Sequence, residues 1–120
     1  MRELTAAGHD CLGWGRDADR LAATGCRGRV VDLRSPSAVD AASAELPDRL
    51  AVVVHAAGLF DRAPADAGDP GVWDELLTVN LAAAMRVTRR VLPALLAGAP
   101  SSLVLLGSTA AHTAFAGNPA

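Results

Sequence analysis

Residues 50–58 read Leu50-Ala51-Val52-Val53-Val54-His55-Ala56-Ala57-Gly58. Apart from His55, this run shows no alternation of polar and apolar side chains. A strand with one face in water alternates, whereas a strand covered on both faces of a parallel sheet does not. The run therefore predicts a buried parallel strand over 50–57, closed by Gly58, which permits a sharp turn. Downstream, Val72, Leu76, Leu77, Leu81, Ala84, Val87, Val91 and Leu95 recur at helical spacing, predicting a helix over about 72–96. Asp69 can cap it and Pro70 can open it. Pro93 is expected to kink it by removing a backbone donor, and Gly98 and Pro100 to stop it. Residues 102–106 follow as a second strand, apolar from Leu103 to Leu106.

Upstream, two more β-rich runs lie at 9–14 and 29–33, and short amphipathic helices are expected at 17–23 and 36–46. Ser35 before Pro36 has the form of an N-cap with proline at the first helical position. Strands alternating with helices give βαβ units and an α/β fold with a parallel sheet. The crossovers are expected to be right-handed. In such sheets ligands bind beyond the carboxyl ends of the strands, so the residues leaving each strand are the ones to weigh. There is no internal repeat.

At 120 residues, the length suits one domain, and 51% apolar residues can supply a core. A net charge of -2 with no basic stripe gives no footprint for nucleic acid. No apolar run approaches the roughly 18 residues of a membrane span. No charged-then-apolar leader opens the chain, so a cytoplasmic location is expected. Cys11 and Cys26 lack metal-ligand spacing and read as reduced packing thiols.

Several strand ends carry polar groups that read in two ways. Arg16 can hold a phosphate through forked, charge-assisted hydrogen bonds, or can be a solvated arginine. Asp32, followed by Leu33, can accept from an amino group such as that of adenine, or can serve as a cap. His55 invites a catalytic role, but a histidine ending an apolar strand reads better as a hydrogen-bonded packing residue. Ala56, Ala57 and Gly58 let a ligand approach the backbone. Asn80 lies four residues from both Leu76 and Ala84, on or beside the apolar stripe, where a buried amide needs partners. Ser108 can bond a substrate oxygen or simply leave the strand for a loop, and His112 reads as a loop residue.

Taken in order, these residues resemble the short-chain dehydrogenase/reductase family over essentially the whole chain. Residues 52–58 look like its Asn-Asn-Ala-Gly region, with His55-Ala56 in place of the two asparagines. Val79-Asn80-Leu81 looks like the helix motif bearing the family's catalytic asparagine, Leu92-Pro93 like the Leu-Pro late in that helix, and Leu106-Gly107-Ser108 like the strand end presenting its catalytic serine. Asp32-Leu33 matches the pair that contacts adenine. The four strands then look like strands two to five of a Rossmann-type sheet with flanking helices. The resemblance implies roles. Ser108 would bond the carbonyl or alcohol oxygen of a small-molecule substrate, and Asn80 would hold a water in a proton relay. Asp32 and Leu33 would meet adenine, while Ala56, Ala57 and Gly58 would line the nucleotide. Gly15 stands where NAD-preferring members carry an acid, and the neighbouring Arg16 would face the 2′-phosphate, implying NADP(H) rather than NAD(H). The intact protein would be a homo-oligomer.

Two departures shape the expectations. Residues 1–8 look like the second half of the family's first helix, so the first strand and its glycine-rich phosphate turn are absent. Counting from Ser108, the family's tyrosine would fall just beyond Ala120, with its lysine further on. The chain has no tyrosine, and its 11 basic residues are all arginine. Residues 1–120 are therefore expected to be a single incomplete NAD(P)-binding domain, marginal in stability, poor at binding NADPH and inactive alone. The family strand order 3-2-1-4-5-6 puts the first strand in the centre. Without it, strands two and three would pair on one side and four and five on the other, each pair with an open edge, unless strands two and four close up. The alternative function is a non-catalytic module that pairs with a full-length homologue.

Overall fold

A computed structural model describes residues 2–61 and 69–113. It divides the chain into two compact units, Met1–Glu45 and Leu46–Ala120.

In the first unit, helix α1 (Arg2–Ala6) leads to strand β1 (Leu12–Gly15), helix α2 (Ala18–Ala22), strand β2 (Arg27–Val30) and helix α3 (Pro36–Ser43). Gly8 ends α1 at φ 88, a left-handed conformation that favours glycine. It donates to the Thr5 carbonyl at 3.0 Å while His9 donates to that of Leu4 at 3.0 Å, the paired bonds of a Schellman cap. Asp17 caps α2 by accepting from the Arg20 N–H at 2.9 Å. As expected, Ser35 caps α3, accepting from the Ala38 N–H at 3.2 Å, and Pro36 takes the first helical position. Strands β1 and β2 are parallel, with Leu12 beside Arg27 and Gly15 beside Val30. Leu21, Val31, Val39 and Ala42 form the buried set of this unit.

The second unit holds β3 (Val52–His55), α4 (Pro70–Leu77), a π-helical turn (Thr78–Ala82), α5 (Ala83–Ala97), β4 (Ser102–Leu105) and a 3-10 turn (Thr109–Ala111). Asp69 caps α4 through the Gly71 N–H at 2.9 Å, and Pro70 opens it. Helix α5 continues through Pro93 and ends at Gly98. Gly98 is more than a helix stop. The Leu50 N–H donates to the Ala94 carbonyl at 2.9 Å, and a Cβ on Gly98 would collide with the Leu50 carbonyl oxygen. Strands β3 and β4 are parallel, with Val52 beside Ser102 and His55 beside Leu105.

The sheet therefore forms as two separate parallel pairs, β1-β2 and β3-β4, the division expected from the strand order. The strands are shorter than read, and two are shifted: the run expected at 9–14 forms a strand over 12–15 and that expected at 29–33 forms one over 27–30. Two expectations need correction. The apolar runs of β3 and β4 are not buried on both faces. Along β3, Val53 is half-buried and His55 buried, while Val52 and Val54 are 43% and 48% exposed. In β4, Leu103 is half-buried and Val104 is exposed. Helix α5 packs against these strands, and its apolar row covers one face. The helical stripe is also rephased. Leu76, Val79, Ala83, Val87, Val91 and Leu95 are buried, whereas Leu77 and Leu81 face outward and Ala84 is half-buried. Between α4 and α5 a π turn widens the helix by one residue, the Ala83 N–H reaching back five residues to the Thr78 carbonyl. No helix among the described residues is long and apolar enough to cross a membrane.

Candidate active site

In the second unit the strand register assembles one edge. His55 pairs with Leu105, and the Leu106 N–H continues the ladder to the His55 carbonyl at 3.0 Å. Residues 56–58 and 107–108 therefore leave the sheet side by side at its carboxyl end. Ala56, Ala57 and Gly58 are exposed there, as are Gly107 and Ser108.

Asn80 sits in the middle of the π turn and clamps the loop after β3. The Leu59 N–H donates to its Oδ1 at 2.7 Å, and its Nδ2 donates to the Leu59 carbonyl at 2.9 Å. A side-chain amide here imitates a strand partner across 21 residues of sequence. Among the described residues one N–H and one oxygen lone pair of the amide have no partner, and Asn80 is exposed. The structure thus puts it beside the buried stripe rather than on it. The π turn itself was missed by sequence reading, because its helical period hides one extra residue. Such turns concentrate at functional positions.

Ser108 has extended backbone, φ -135 and ψ 151, and caps the following 3-10 turn by accepting from the Ala110 N–H at 3.1 Å. That bond occupies a lone pair and leaves the hydroxyl proton to donate. Among the described residues no hydrogen bond joins Ser108 to Asn80. His112 is exposed just past the turn. His55 is 8% exposed, a packing residue as expected, but its buried Nε2 has no hydrogen-bond partner among the described residues. Burial lowers its pKa, because the charged imidazolium would lose its water.

In the first unit the Val31 N–H donates to the Gly15 carbonyl at 2.9 Å, so Arg16 and Asp32 leave β1 and β2 at one edge. Asp32 is gripped by Arg34. The Arg34 Nε lies 3.0 and 3.1 Å from the two carboxylate oxygens, Nη2 lies 2.7 Å from Oδ2, and the Arg34 backbone N–H lies 3.0 Å from Oδ1. Those side-chain and backbone bonds, with smaller help from the charges of Arg34 and Arg16, hold the Asp32 carboxyl down at about 2. Sequence reading overlooked Arg34, although an aspartate at a turn commonly accepts from the backbone N–H two residues on, as Asp32 does from Arg34. With Asp32 satisfied by Arg34, Arg16 is an exposed guanidinium with no ion-pair partner among the described residues. An exposed cation at a strand end can hold a phosphate, whereas the Asp32 oxygens already accept four bonds from Arg34. Leu33 is half-buried beside them. Among the described residues, no three His, Cys, Asp or Glu side chains are placed to hold a metal ion.

Known proteins share this fold. Serine dehydrogenase from Escherichia coli is similar at 25% identity and a TM-score of 0.85, over 97% of this chain and 58% of that one. A short-chain dehydrogenase/reductase from Vibrio parahaemolyticus shares 25% identity at a TM-score of 0.85, over 98% and 57% respectively. The closed form of a serine dehydrogenase complexed with NADP+ superposes with a TM-score of 0.86 at 25% identity, over 97% and 51%. The chain thus spans between about half and three-fifths of the length of these relatives. The family model for short chain dehydrogenases matches residues 2–120. This chain belongs to the short-chain dehydrogenase family.

Proposed function

We propose that the chain carries part of the site of an NADP(H)-dependent oxidoreductase that moves hydride between a small-molecule carbonyl and an alcohol. NADPH, when bound, supplies the hydride. The observation that carries the reading is the carboxyl edge of β3 and β4, where the Asn80-clamped loop and the Ser108 hydroxyl emerge together. The Ser108 proton hydrogen-bonds the substrate oxygen and fixes its position, and the unused N–H and lone pair of Asn80 hold a water for proton supply. Ala56, Ala57 and Gly58 offer bare backbone to the nucleotide. Arg16 takes the 2′-phosphate, and Asp32 with Leu33 meets adenine. The NADP+ complex of a similar protein supports the choice of NADP(H). The chain has no tyrosine and no lysine, so it lacks the family's proton donor and the residue that tunes it. We read residues 1–120 as one incomplete cytoplasmic domain, inactive alone, of a protein that is homo-oligomeric when intact.

The test uses 2′,5′-ADP and 5′-AMP as probes, titrated against the purified chain and its R16A variant by NMR. The wild type is expected to prefer 2′,5′-ADP by roughly tenfold, about the value of one charge-assisted contact, and R16A to lose the preference. Equal binding of both probes would refute the cofactor assignment. Consumption of NADPH with a carbonyl substrate by the chain alone would refute the assignment of the missing proton donor.

One observation favours a second reading, a non-catalytic module that pairs with a full-length homologue. Leu77, Leu81, Met85, Leu92 and Leu96 are between 45% and 69% exposed at helical spacing along α4, the π turn and α5. Co-purification with an intact reductase, abolished by L81E, would favour it.

A further inference from the structure

Cys11 and Cys26 each stand immediately before a strand. The register sets Leu12 beside Arg27, so the two cysteines are the next pair back on adjacent chains. Adjacent strands run about 4.8 Å apart, inside the roughly 4.4–6.8 Å between Cα atoms that a disulfide spans. Strand alternation continued one residue back would put Cys11 in the row of Gly13 and Gly15, and Cys26, at the bend entering β2, in the row of Gly28. A Cβ on Gly15 or Gly28 would lie 3.4 or 3.1 Å from the Leu21 side chain of α2, so both rows look toward that helix. Gly13 and Gly28, the next residues along those rows, bring no side chains to crowd a bridge.

The flanking residues hold the two chains together here, since Arg27 Nη2 lies 2.7 Å from Asp10 Oδ2. Both thiols are free and half-buried. Each makes only local contacts. Cys11 Sγ donates to the His9 carbonyl at 3.6 Å, and Cys26 Sγ lies 2.8 Å from Thr24 Oγ1. Closing a bridge would exchange these local contacts for one another's sulfur.

We propose that Cys11 and Cys26 are a redox-responsive pair that closes into a disulfide fastening β1 to β2. The oxidant is a small-molecule disulfide such as glutathione disulfide. One thiolate attacks it, forming a mixed disulfide and releasing one small thiolate. The second cysteine then attacks the mixed disulfide, forming the internal S–S bond and releasing the other. Two electrons pass to the oxidant, and the two thiol protons end on the released thiols. The bridge lies at the amino end of both strands, so it stiffens the β1-α2-β2 unit without occupying the edge that carries Arg16 and Asp32.

The test exposes the reduced, purified chain to glutathione disulfide and follows intact mass and peptide maps. The expected product has lost two hydrogens and yields a Cys11–Cys26 cross-link. It should form at least about tenfold faster in buffer than in urea, because folding holds the thiols together. C11S and C26S are expected to retain one glutathione each, having no second thiol to expel it. The proposal is overturned if the folded wild type keeps glutathione on either cysteine, or if closure is no faster in buffer than in urea.

Discussion

Replacing Asn80 by alanine removes both bonds that tie the loop after β3 to the π turn. Those bonds are 2.7 and 2.9 Å long, good lengths for an amide pair. Each such bond contributes about 0.5–1.5 kcal/mol net. Asn80 is exposed, so water replaces part of what is lost and the low end of that range applies. The sum is about 1–1.5 kcal/mol, or close to tenfold in the equilibrium between clamped and open loop. Amide hydrogen exchange reads that equilibrium residue by residue. The Leu59 amide should exchange roughly tenfold faster in N80A than in the wild type, while the Val53 and Val54 amides inside β3 keep their rates. N80D should fall between, because its carboxylate still accepts from the Leu59 N–H but turns its second oxygen toward the Leu59 carbonyl. An unchanged Leu59 rate in N80A would refute the clamp, and a rise across all of β3 would show that Asn80 supports the sheet rather than the loop.

Other consequences follow from particular residues. His55 is buried neutral, with its pKa below the 6.5 of an unfolded histidine. The unfolded chain therefore binds the extra proton, and stability is lost as pH falls from about 6.5, by at most about 1.4 kcal/mol per pH unit. Urea midpoints for H55N should lack that slope, and parallel curves would contradict it. The Asp32 carboxyl is lowered from 3.8 to about 2, so the Arg34 grip contributes fully above pH 3.8 and fades as pH falls through about 2. Because Asp32 is 38% exposed, D32N should cost less than about 1 kcal/mol at pH 7. G98A forces a Cβ into the Leu50 carbonyl and should destabilise the chain by about 2 kcal/mol or more in urea unfolding, with a wild-type midpoint counting against that contact. V54T should slow aggregation measured by light scattering while changing stability by less than about 0.5 kcal/mol, because Val54 is 48% exposed.

Much of the fold was legible because its signals are local. Ser35 and Asp69 mark helix starts through their own side chains, and the apolar runs marked β3 and β4, while β1 and β2 were located only to within two or three residues. The separation into two strand pairs followed from the strand order. What escaped depends on partners distant in sequence or on phase. The expectation of strands buried on both faces failed because apolar composition reports what a side chain tolerates, not what covers it. Leu77 and Leu81 fit the helical stripe on paper, but the buried row runs through Leu76, Val79 and Ala83 and leaves them exposed. Among the site residues, the positions of Asn80, Ser108, Arg16 and Asp32 at strand ends or beside them were readable. The loop partner of Asn80, the Arg34 grip on Asp32 and the alignment of Cys11 with Cys26 were not, since each needs the register or a turn to bring it about.

The most direct test of the account is a backbone-amide map of the full chain titrated with NADPH to millimolar concentration. Shifts are expected at Gly15, Arg16 and residues 32–34, at residues 56–59, and at Gly107 and Ser108, all at carboxyl ends of strands, with Cys11, Cys26, Val52 and Ser102 at the amino ends unmoved. Shifts concentrated at the amino ends, or none at saturating nucleotide, would contradict it.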